Sequence, residues 1–137
     1  MNPDIAIEPA LTAEEFRAIL NASGLGERRP IGDLGRLDRM LRNADLIVTA
    51  RVGGELIGIS RAITDFSYCC YLSDLAVAKP YQHRGIGKLL IERTRVAAGL
   101  EVTLILVAAP AARGYYPKIG MQPVASCWSI PRMGIET

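Results

Sequence analysis

The residues best suited to chemistry are six consecutive ones, Gln82-His83-Arg84-Gly85-Ile86-Gly87, between an apolar run and an amphipathic helix pattern. The first turn of a helix has four backbone N–H groups without helical acceptors, and aligned peptide dipoles make that end partly positive. Because Gly85 and Gly87 carry no side chain, a phosphate could approach those N–H groups closely. The side chains that add donors or positive charge at the rim are His83, Arg84 and Lys88. The pattern predicts a pyrophosphate site, although glycines at a helix start also serve packing alone.

The spacing disfavours two other phosphate-binding loops. The P-loop requires G-x-x-x-x-G-K-[ST], and the dinucleotide fingerprint requires G-x-G-x-x-G with an acidic residue about 20 positions on. Neither pattern fits this sequence. A nucleotide-binding module is therefore disfavoured.

A second motif lies downstream, Ala112-Arg113-Gly114-Tyr115-Tyr116-Pro117-Lys118-Ile119-Gly120-Met121. It is similar to the A-x-x-F-Y-E-K-L-G-F motif of the GNAT (GCN5-related N-acetyltransferase) superfamily. The earlier Gln82–Gly87 stretch matches that family's Q/R-x-x-G-x-G/A signature, follows a predicted strand ending in Leu-Ala-Val and opens a helix, as in the family. The chain thus resembles the GNAT superfamily over about residues 5–130.

The resemblance implies a GNAT fold and direct transfer of an acetyl group from acetyl-CoA to a primary amine, without a metal. The pantetheine would pair with the backbone of Leu75 and Val77 like an added strand, and the pyrophosphate would lie on the amides from Arg84 to Lys88. The amine, on a small molecule or a protein, would enter near the first two helices. The residues implied in coenzyme A binding are Leu75, Ala76, Val77, Gln82, His83, Arg84, Gly85, Ile86, Gly87 and Lys88.

In the GNAT family a Tyr of the second motif often donates a proton to the leaving thiolate, and Tyr116 stands at that position of the motif. Proton transfer from a phenol of pKa near 10 to a thiolate of pKa near 8.5 is uphill by about 2 kcal/mol. That is tolerable if the hydrogen bond shortens as the C–S bond breaks. The alternative is that Tyr115 and Tyr116 are both packing aromatics.

Asp74 is the only carboxylate in the predicted fourth strand, where many relatives place a general base. Strand alternation puts it on one face with Leu72 and Ala76, unless a bulge changes the facing. Asp74 is therefore either the base that deprotonates the amine or a satisfied structural carboxylate. Proton release through a water held by Tyr71 or Ser73 is an equal alternative.

Two departures from the family pattern concern the amine side. Ala109 stands seven residues before Tyr116, where the family often has an Asn near the thioester. Pro117 removes one backbone donor from a helix that continues past it. These departures keep open a second class of function, a catalytically weak acyl-CoA-binding module that senses or docks.

Hydrophobic periods predict the elements that position these residues. A capping box at Thr12–Glu15 and a capping Asp33 begin two helices, and Gly53-Gly54 marks a hairpin turn. The predicted strands are Ile5–Glu8, Leu46–Val52, Glu55–Thr64, Tyr68–Val77, Val102–Val107 and Met121–Ile130. The later helices are Gly85–Ala98, with Ile86, Leu89, Leu90, Val96 and Ala97 inward, and Pro110–Ile119. This order predicts an α/β fold, a mixed sheet with helices on both faces.

Composition is that of an ordinary globular protein. The 137 residues fit a single domain over residues 1–137, and half of them are hydrophobic. A net charge of +2 is too small to favour nucleic acid as a partner, and no apolar run approaches a membrane span. Three cysteines, two of them adjacent, and a start without the pattern of a secretory signal favour a reducing, cytoplasmic location.

The apolar composition of the C-terminal segment predicts that the protein self-associates. Its large apolar residues are Met121, Val124, Trp128 and Ile130, and little chain remains to cover them. Exposed edges with such side chains tend to pair, and two-fold dimers are the commonest result. We expect a homodimer with this segment at the interface; the alternative is that Met121–Ile130 completes the sheet beside Val102–Val107.

Overall fold

One mixed sheet organises the computed structural model, which describes residues 2–133. Within these residues the sheet has five strands in the order β1-β2-β3-β4-β5, antiparallel as far as β4 and parallel between β4 and β5. The strands are β1 (Asp4–Ile7), β2 (Leu46–Val52), β3 (Glu55–Thr64), β4 (Cys69–Val77) and β5 (Thr103–Ile105). The predicted mixed sheet is confirmed.

The helices are α1 (Ala13–Ser23), α2 (Leu34–Arg42), α3 (Ile86–Ala98) and the single turn α4 (Tyr115–Lys118), with 3-10 turns at Leu25–Arg28, Lys79–Tyr81 and Pro110–Ala112. Helices α1, α2 and α3 cover the two faces of this sheet, and the later helix α4 belongs to the C-terminal part of the chain. Ile47 of β2 packs in one core with α1 and α2, whereas its neighbour Val48 packs in a second core with Ile86 and Leu90 of α3. Because successive strand residues point to opposite faces, α3 lies across the sheet from α1 and α2.

Both predicted N-caps are present. The Thr12 hydroxyl accepts a hydrogen bond from the Glu15 N–H at 3.1 Å, and the Asp33 carboxylate accepts one from the Arg36 N–H at 3.0 Å. Each bond satisfies a backbone donor that the helix itself leaves without an acceptor. The starts of α1 and α2 are therefore fixed by local sequence.

A β-bulge interrupts the pairing of β3 with β4. Arg61 lies opposite Asp74, but the next residue along, Ala62, lies opposite Leu72. Ser73 is therefore the extra residue on β4 and has no cross-strand partner. The bulge that would complicate the facing of Asp74 is thus real, and it lies directly beside that residue.

The predicted inward face of α3 is partly wrong. Leu89 and Val96 are 43% and 65% exposed. The buried residues of this helix are Ile86, Gly87, Leu90, Ile91, Thr94 and Ala98. The polar Thr94 takes an inward position because its hydroxyl pairs with that of Ser60 on β3 at 2.8 Å.

Downstream of α3 the regular elements are shorter than predicted. The strand predicted at Val102–Val107 is Thr103–Ile105, and the helix predicted at Pro110–Ile119 breaks into a 3-10 turn and α4. Gly114 and Pro117 account for the break, since glycine favours turns and proline lacks the N–H that a continuous helix would need. Among the described residues Met121–Ile130 forms no strand, so its assignment to the sheet is wrong.

The chain divides into two compact units, Met1–Val107 and Ala108–Thr137. The first holds the sheet with α1, α2 and α3, and the second holds α4 and the C-terminal segment. A single functional domain over the whole chain stays a prediction. Within residues 2–133 no helix combines the length and apolar character needed to cross a membrane.

Candidate functional site

The loop between β4 and α3 is folded tightly by its own residues. After β4 ends at Val77, a 3-10 turn leads to Gln82, whose side-chain amide donates to the Val77 carbonyl at 2.8 Å. The same amide also reaches the Ser23 carbonyl at 3.3 Å, which ties the loop to the end of α1. Gln82, predicted to contact the coenzyme, thus uses its side chain to shape the loop.

Two residues of this loop have left-handed backbone conformations. His83 has φ 65° and Gly85 has φ 82°. Glycine adopts this region freely, but a residue with a Cβ does so at a free-energy cost of about 1–3 kcal/mol. Strain of this kind persists where the surroundings demand a particular backbone path, and it clusters at ligand-binding loops.

The loop leads into the N-terminus of α3, where the first backbone N–H groups have no acceptor within the helix. The first helical bond runs from the Leu89 N–H to the Gly85 carbonyl at 3.1 Å, so the N–H groups before Leu89 have no acceptor within the helix. An added Cβ on Gly85 would meet no atom within 4 Å, so the space before this terminus is open. The arrangement can hold an anion on backbone N–H groups and the helix dipole.

Polar and positively charged side chains lie at this helix end. His83, Arg84 and Lys88 are all exposed, as a site at a solvent-facing rim requires. The Arg84 guanidinium lies 5.7 Å from the centre of the Tyr81 ring, which holds it by a cation–π contact. Sequence reasoning missed Tyr81, and an aromatic residue three positions before an arginine is too common a pattern to have revealed it.

The edge of β4 on the side of β5 is unpaired with any described strand over most of its length. β4 pairs with β3 along Cys70–Val77 but with β5 only along Cys69–Tyr71. In the described part of the chain no strand lies against this edge at residues 72–77. An open edge is a template for an extended ligand, which can add to the sheet through main-chain hydrogen bonds.

The backbone groups of two predicted coenzyme-binding residues point to this open edge. The Ala78 N–H donates to the Ile57 carbonyl on β3 at 2.9 Å. Because strand residues alternate in the direction of their hydrogen-bonding groups, Leu75 and Val77 direct theirs away from β3, although the Val77 carbonyl already accepts from the Gln82 side chain. Ala76, predicted with them, instead packs its side chain in the core with α1 and α2.

Asp74 lies in a closed ion-pair cluster. Its side chain is 0% exposed, and its two carboxylate oxygens accept from Arg29 Nε and Arg61 Nε. Arg29 Nη2 also donates to the Ser73 carbonyl at 2.9 Å, and Arg61 Nη2 donates to the Ser73 hydroxyl at 3.0 Å. A carboxylate with both oxygens occupied by guanidinium groups and no solvent access is poorly placed to accept a proton from a substrate. Of the two roles predicted for Asp74, this geometry favours the structural one.

Tyr116 belongs to the second unit, where it lies in α4 beside Tyr115. The two rings are 5.3 Å apart with an interplanar angle of 74°, an edge-to-face contact. Burial, and then the neighbouring Tyr115, raise the pKa of Tyr116 above its usual value. The hydroxyl therefore keeps its proton at neutral pH, which is the state that a proton donor needs.

Comparison with known proteins agrees with this architecture. The chain matches a family model described as an acetyltransferase (GNAT) domain over residues 43–123. Among curated proteins no match was found.

Solved structures of several bacterial acetyltransferases have the same fold. A probable acetyltransferase from meticillin-resistant Staphylococcus aureus has a TM-score of 0.77 and 23% identity, covering 95% of this chain and 99% of its own. A GNAT-family acetyltransferase from Streptococcus pneumoniae has a TM-score of 0.74 and 20% identity, covering 98% and 99%. A ribosomal-protein-alanine N-acetyltransferase from Brucella melitensis biovar Abortus has a TM-score of 0.71 and 22% identity, covering 96% and 100%. At these identities the likeness shows the fold.

The family model decides the assignment. It spans more than half of the chain and includes both the Gln82–Gly87 loop and the motif that contains Tyr116. The chain therefore belongs to the GNAT acetyltransferase family.

Proposed function

We propose that this protein transfers an acetyl group from acetyl-CoA to a primary amine. One observation supports the proposal above all. The unpaired edge of β4 leads, through the loop that follows the strand, to the N-terminus of α3, which has no side-chain cap. An extended pantetheine arm suits the strand edge, and a pyrophosphate suits the helix end. Their order along the chain is the order of these groups in coenzyme A.

The proposed reaction is a direct displacement. The neutral amine attacks the thioester carbon, the C–N bond forms, and the C–S bond breaks. The Tyr116 hydroxyl donates its proton to the leaving thiolate, and the proton released by the amine passes to solvent, from which Tyr116 regains one. Because Asp74 is closed off by Arg29 and Arg61, we assign proton release to water beside the partly exposed Tyr71.

The second candidate is a binding module that holds acyl-CoA without efficient turnover, which Ala109 in place of the usual Asn favours. Free thiol release from acetyl-CoA across a panel of small amines and peptide N-termini separates the two. Release that depends on one amine class supports the transferase. Tight coenzyme A binding without release from any amine supports the module.

The coenzyme site should depend on Gly85. In Gly85→Glu a carboxylate would lie where the pyrophosphate is proposed to bind. A residue with a Cβ would also have to adopt the left-handed φ of 82°, which glycine adopts without strain. We expect the Kd for coenzyme A, measured by calorimetry, to rise more than about tenfold, or about 1.4 kcal/mol.

The matched control is Gly54→Glu. Gly54 has φ 83° and equally open space at its Cβ position, but it lies in the β2–β3 turn. This variant carries the same charge change and a similar backbone strain, so its Kd should stay near that of the wild type. An unchanged Kd in Gly85→Glu would refute the phosphate-site assignment.

We also propose that the protein is a cytoplasmic homodimer. All three cysteines are free thiols, as expected in a reducing compartment. Val124, Trp128 and Ile130 of the C-terminal segment are 61%, 91% and 97% exposed, which is unusual for side chains of this size. Such a segment gains stability by pairing with a second copy.

Light scattering at micromolar concentration tests the dimer. The expected mass is twice 14.9 kDa, and Trp128→Ser should shift the protein toward monomer. The matched control is Leu100→Ser, an exposed apolar residue of the first unit, which should leave the mass unchanged. A wild type of 14.9 kDa across the concentration range would refute the proposal.

A further inference from the structure

The bulge residue Ser73 is held by side chains rather than by the sheet. As the extra residue on β4 it has no cross-strand partner to fix its orientation. Its carbonyl instead accepts from Arg29 at 2.9 Å and its hydroxyl accepts from Arg61 at 3.0 Å. Asp74 joins the two guanidinium groups. The conformation of the bulge therefore depends on this cluster.

The bulge also lies where the proposed coenzyme path ends. A ligand that adds to β4 from the α3 end passes Val77 first and reaches Ser73 after four residues, about 13 Å along a strand. It can extend little further, because β5 occupies the edge from Tyr71 backward. The reactive thioester end of an extended coenzyme arm would therefore lie beside Ser73.

We propose that Arg29 is a positioning residue for acetyl transfer, which fixes the bulge at Ser73 where the thioester binds. This inference rests on the proposed function. Arg29 follows the 3-10 turn between α1 and α2, so it ties that connection to β4 across 44 residues of sequence. It does not touch the substrate itself; it sets the orientation of a backbone unit that does.

Arg29 can be removed without leaving a buried charge unpaired. Its side chain is 21% exposed, whereas that of Arg61 is 7% exposed. In Arg29→Gln, Asp74 keeps its bond to Arg61, but the Ser73 carbonyl loses its donor. The variant therefore removes the donor to the Ser73 carbonyl while the buried pair of Asp74 and Arg61 stays intact.

Kinetics of Arg29→Gln provide the main test. We expect kcat, expressed per coenzyme A-binding site, to fall about tenfold or more, as the loss of a charged hydrogen-bond donor implies. The Kd for coenzyme A should stay within about threefold, because the phosphate site is untouched. Arg29→Lys should recover part of kcat, because an ammonium can still donate to the Ser73 carbonyl but lacks the fork that bonds Asp74 at the same time.

Arg28→Gln is the matched control. It makes the same charge change at the adjacent, exposed position, and its kcat should equal that of the wild type. A merely structural role for Arg29 would lower the number of binding sites and the Tm while leaving kcat per site unchanged. That result, or an equal loss of kcat in Arg28→Gln, would overturn the inference.

A binding readout separates this inference from the proposed function. The ratio of the Kd values for acetyl-CoA and coenzyme A reports only on the surroundings of the acetylated sulfur. Arg29→Gln should change this ratio by about threefold or more, the effect of a modest shift in one contact. A wild type that acetylates no amine would refute the transferase, and an unchanged ratio in Arg29→Gln would refute the role of Arg29.

Discussion

Replacement of Asp74 by alanine is expected to lower the free energy of unfolding by about 3–5 kcal/mol, the range found when one partner of a buried ion pair is removed. The Asp74 side chain is 0% exposed and that of Arg61 is 7% exposed, so the guanidinium of Arg61 would stay buried without its counter-charge. The Ser73 bulge would also lose the charge that brings the two arginines together. Denaturant unfolding followed by circular dichroism measures the change.

Asp38→Ala is the matched control for this variant. Asp38 forms an ion pair with Arg42 on α2 at 3.5 Å, and the two side chains are 54% and 40% exposed. Solvent screens such a pair, so its loss should cost about 0–1 kcal/mol. If Asp74→Ala unfolds at the same denaturant concentration as Asp38→Ala but has lost activity, the carboxylate is a base after all, and the structural role is wrong.

The first half of the fold could be predicted closely from the sequence. β2 and β3 have the predicted bounds, Leu46–Val52 and Glu55–Thr64, because Gly53-Gly54 sets a two-residue turn between runs of β-branched residues. The caps at Thr12 and Asp33 were equally predictable. In each case a side chain acts on backbone a few residues away, so the local sequence contains the whole interaction.

The buried face of α3 could not be predicted in the same way. Apolar residues occur all round this helix, so periodicity alone leaves several faces possible. The face that is buried is the one with Thr94, whose hydroxyl forms a hydrogen bond with that of Ser60, 34 residues earlier in the sequence. Leu89 and Val96 are left exposed as a consequence. Only the assembled sheet brings the two hydroxyls together.

The candidate site also has parts that depend on neighbouring residues and parts that depend on residues distant in the sequence. The loop between β4 and α3, where we propose that the pyrophosphate binds, is local, and its two glycines and the following helix pattern were sufficient to predict where the helix begins. The role of Asp74 is not local, because its partners Arg29 and Arg61 lie 45 and 13 residues away. One signal was available: Arg61 is the only charged residue between Leu56 and Thr64 in β3, and a charge in a buried strand requires a buried partner.

Tyr116→Phe is expected to lower kcat about 100-fold, within the range of general acid catalysis. The raised pKa of Tyr116 keeps its hydroxyl protonated at neutral pH, but it also makes transfer to a thiolate more uphill than for an ordinary phenol. The hydroxyl can therefore act only as negative charge develops on sulfur, in the transition state. An interaction of that kind affects kcat and hardly affects binding, so the KM for acetyl-CoA should change much less.

Tyr115→Phe is the control that fixes the register of the motif. The two tyrosines are adjacent in α4 and their rings are in contact, so each variant removes one hydroxyl from the same aromatic pair. Steady-state rates of thiol release should fall in Tyr116→Phe and stay near the wild-type value in Tyr115→Phe. The reverse pattern would move the proton donor to Tyr115. Full activity in both variants would mean that the thiolate leaves without a tyrosine donor and takes its proton from solvent.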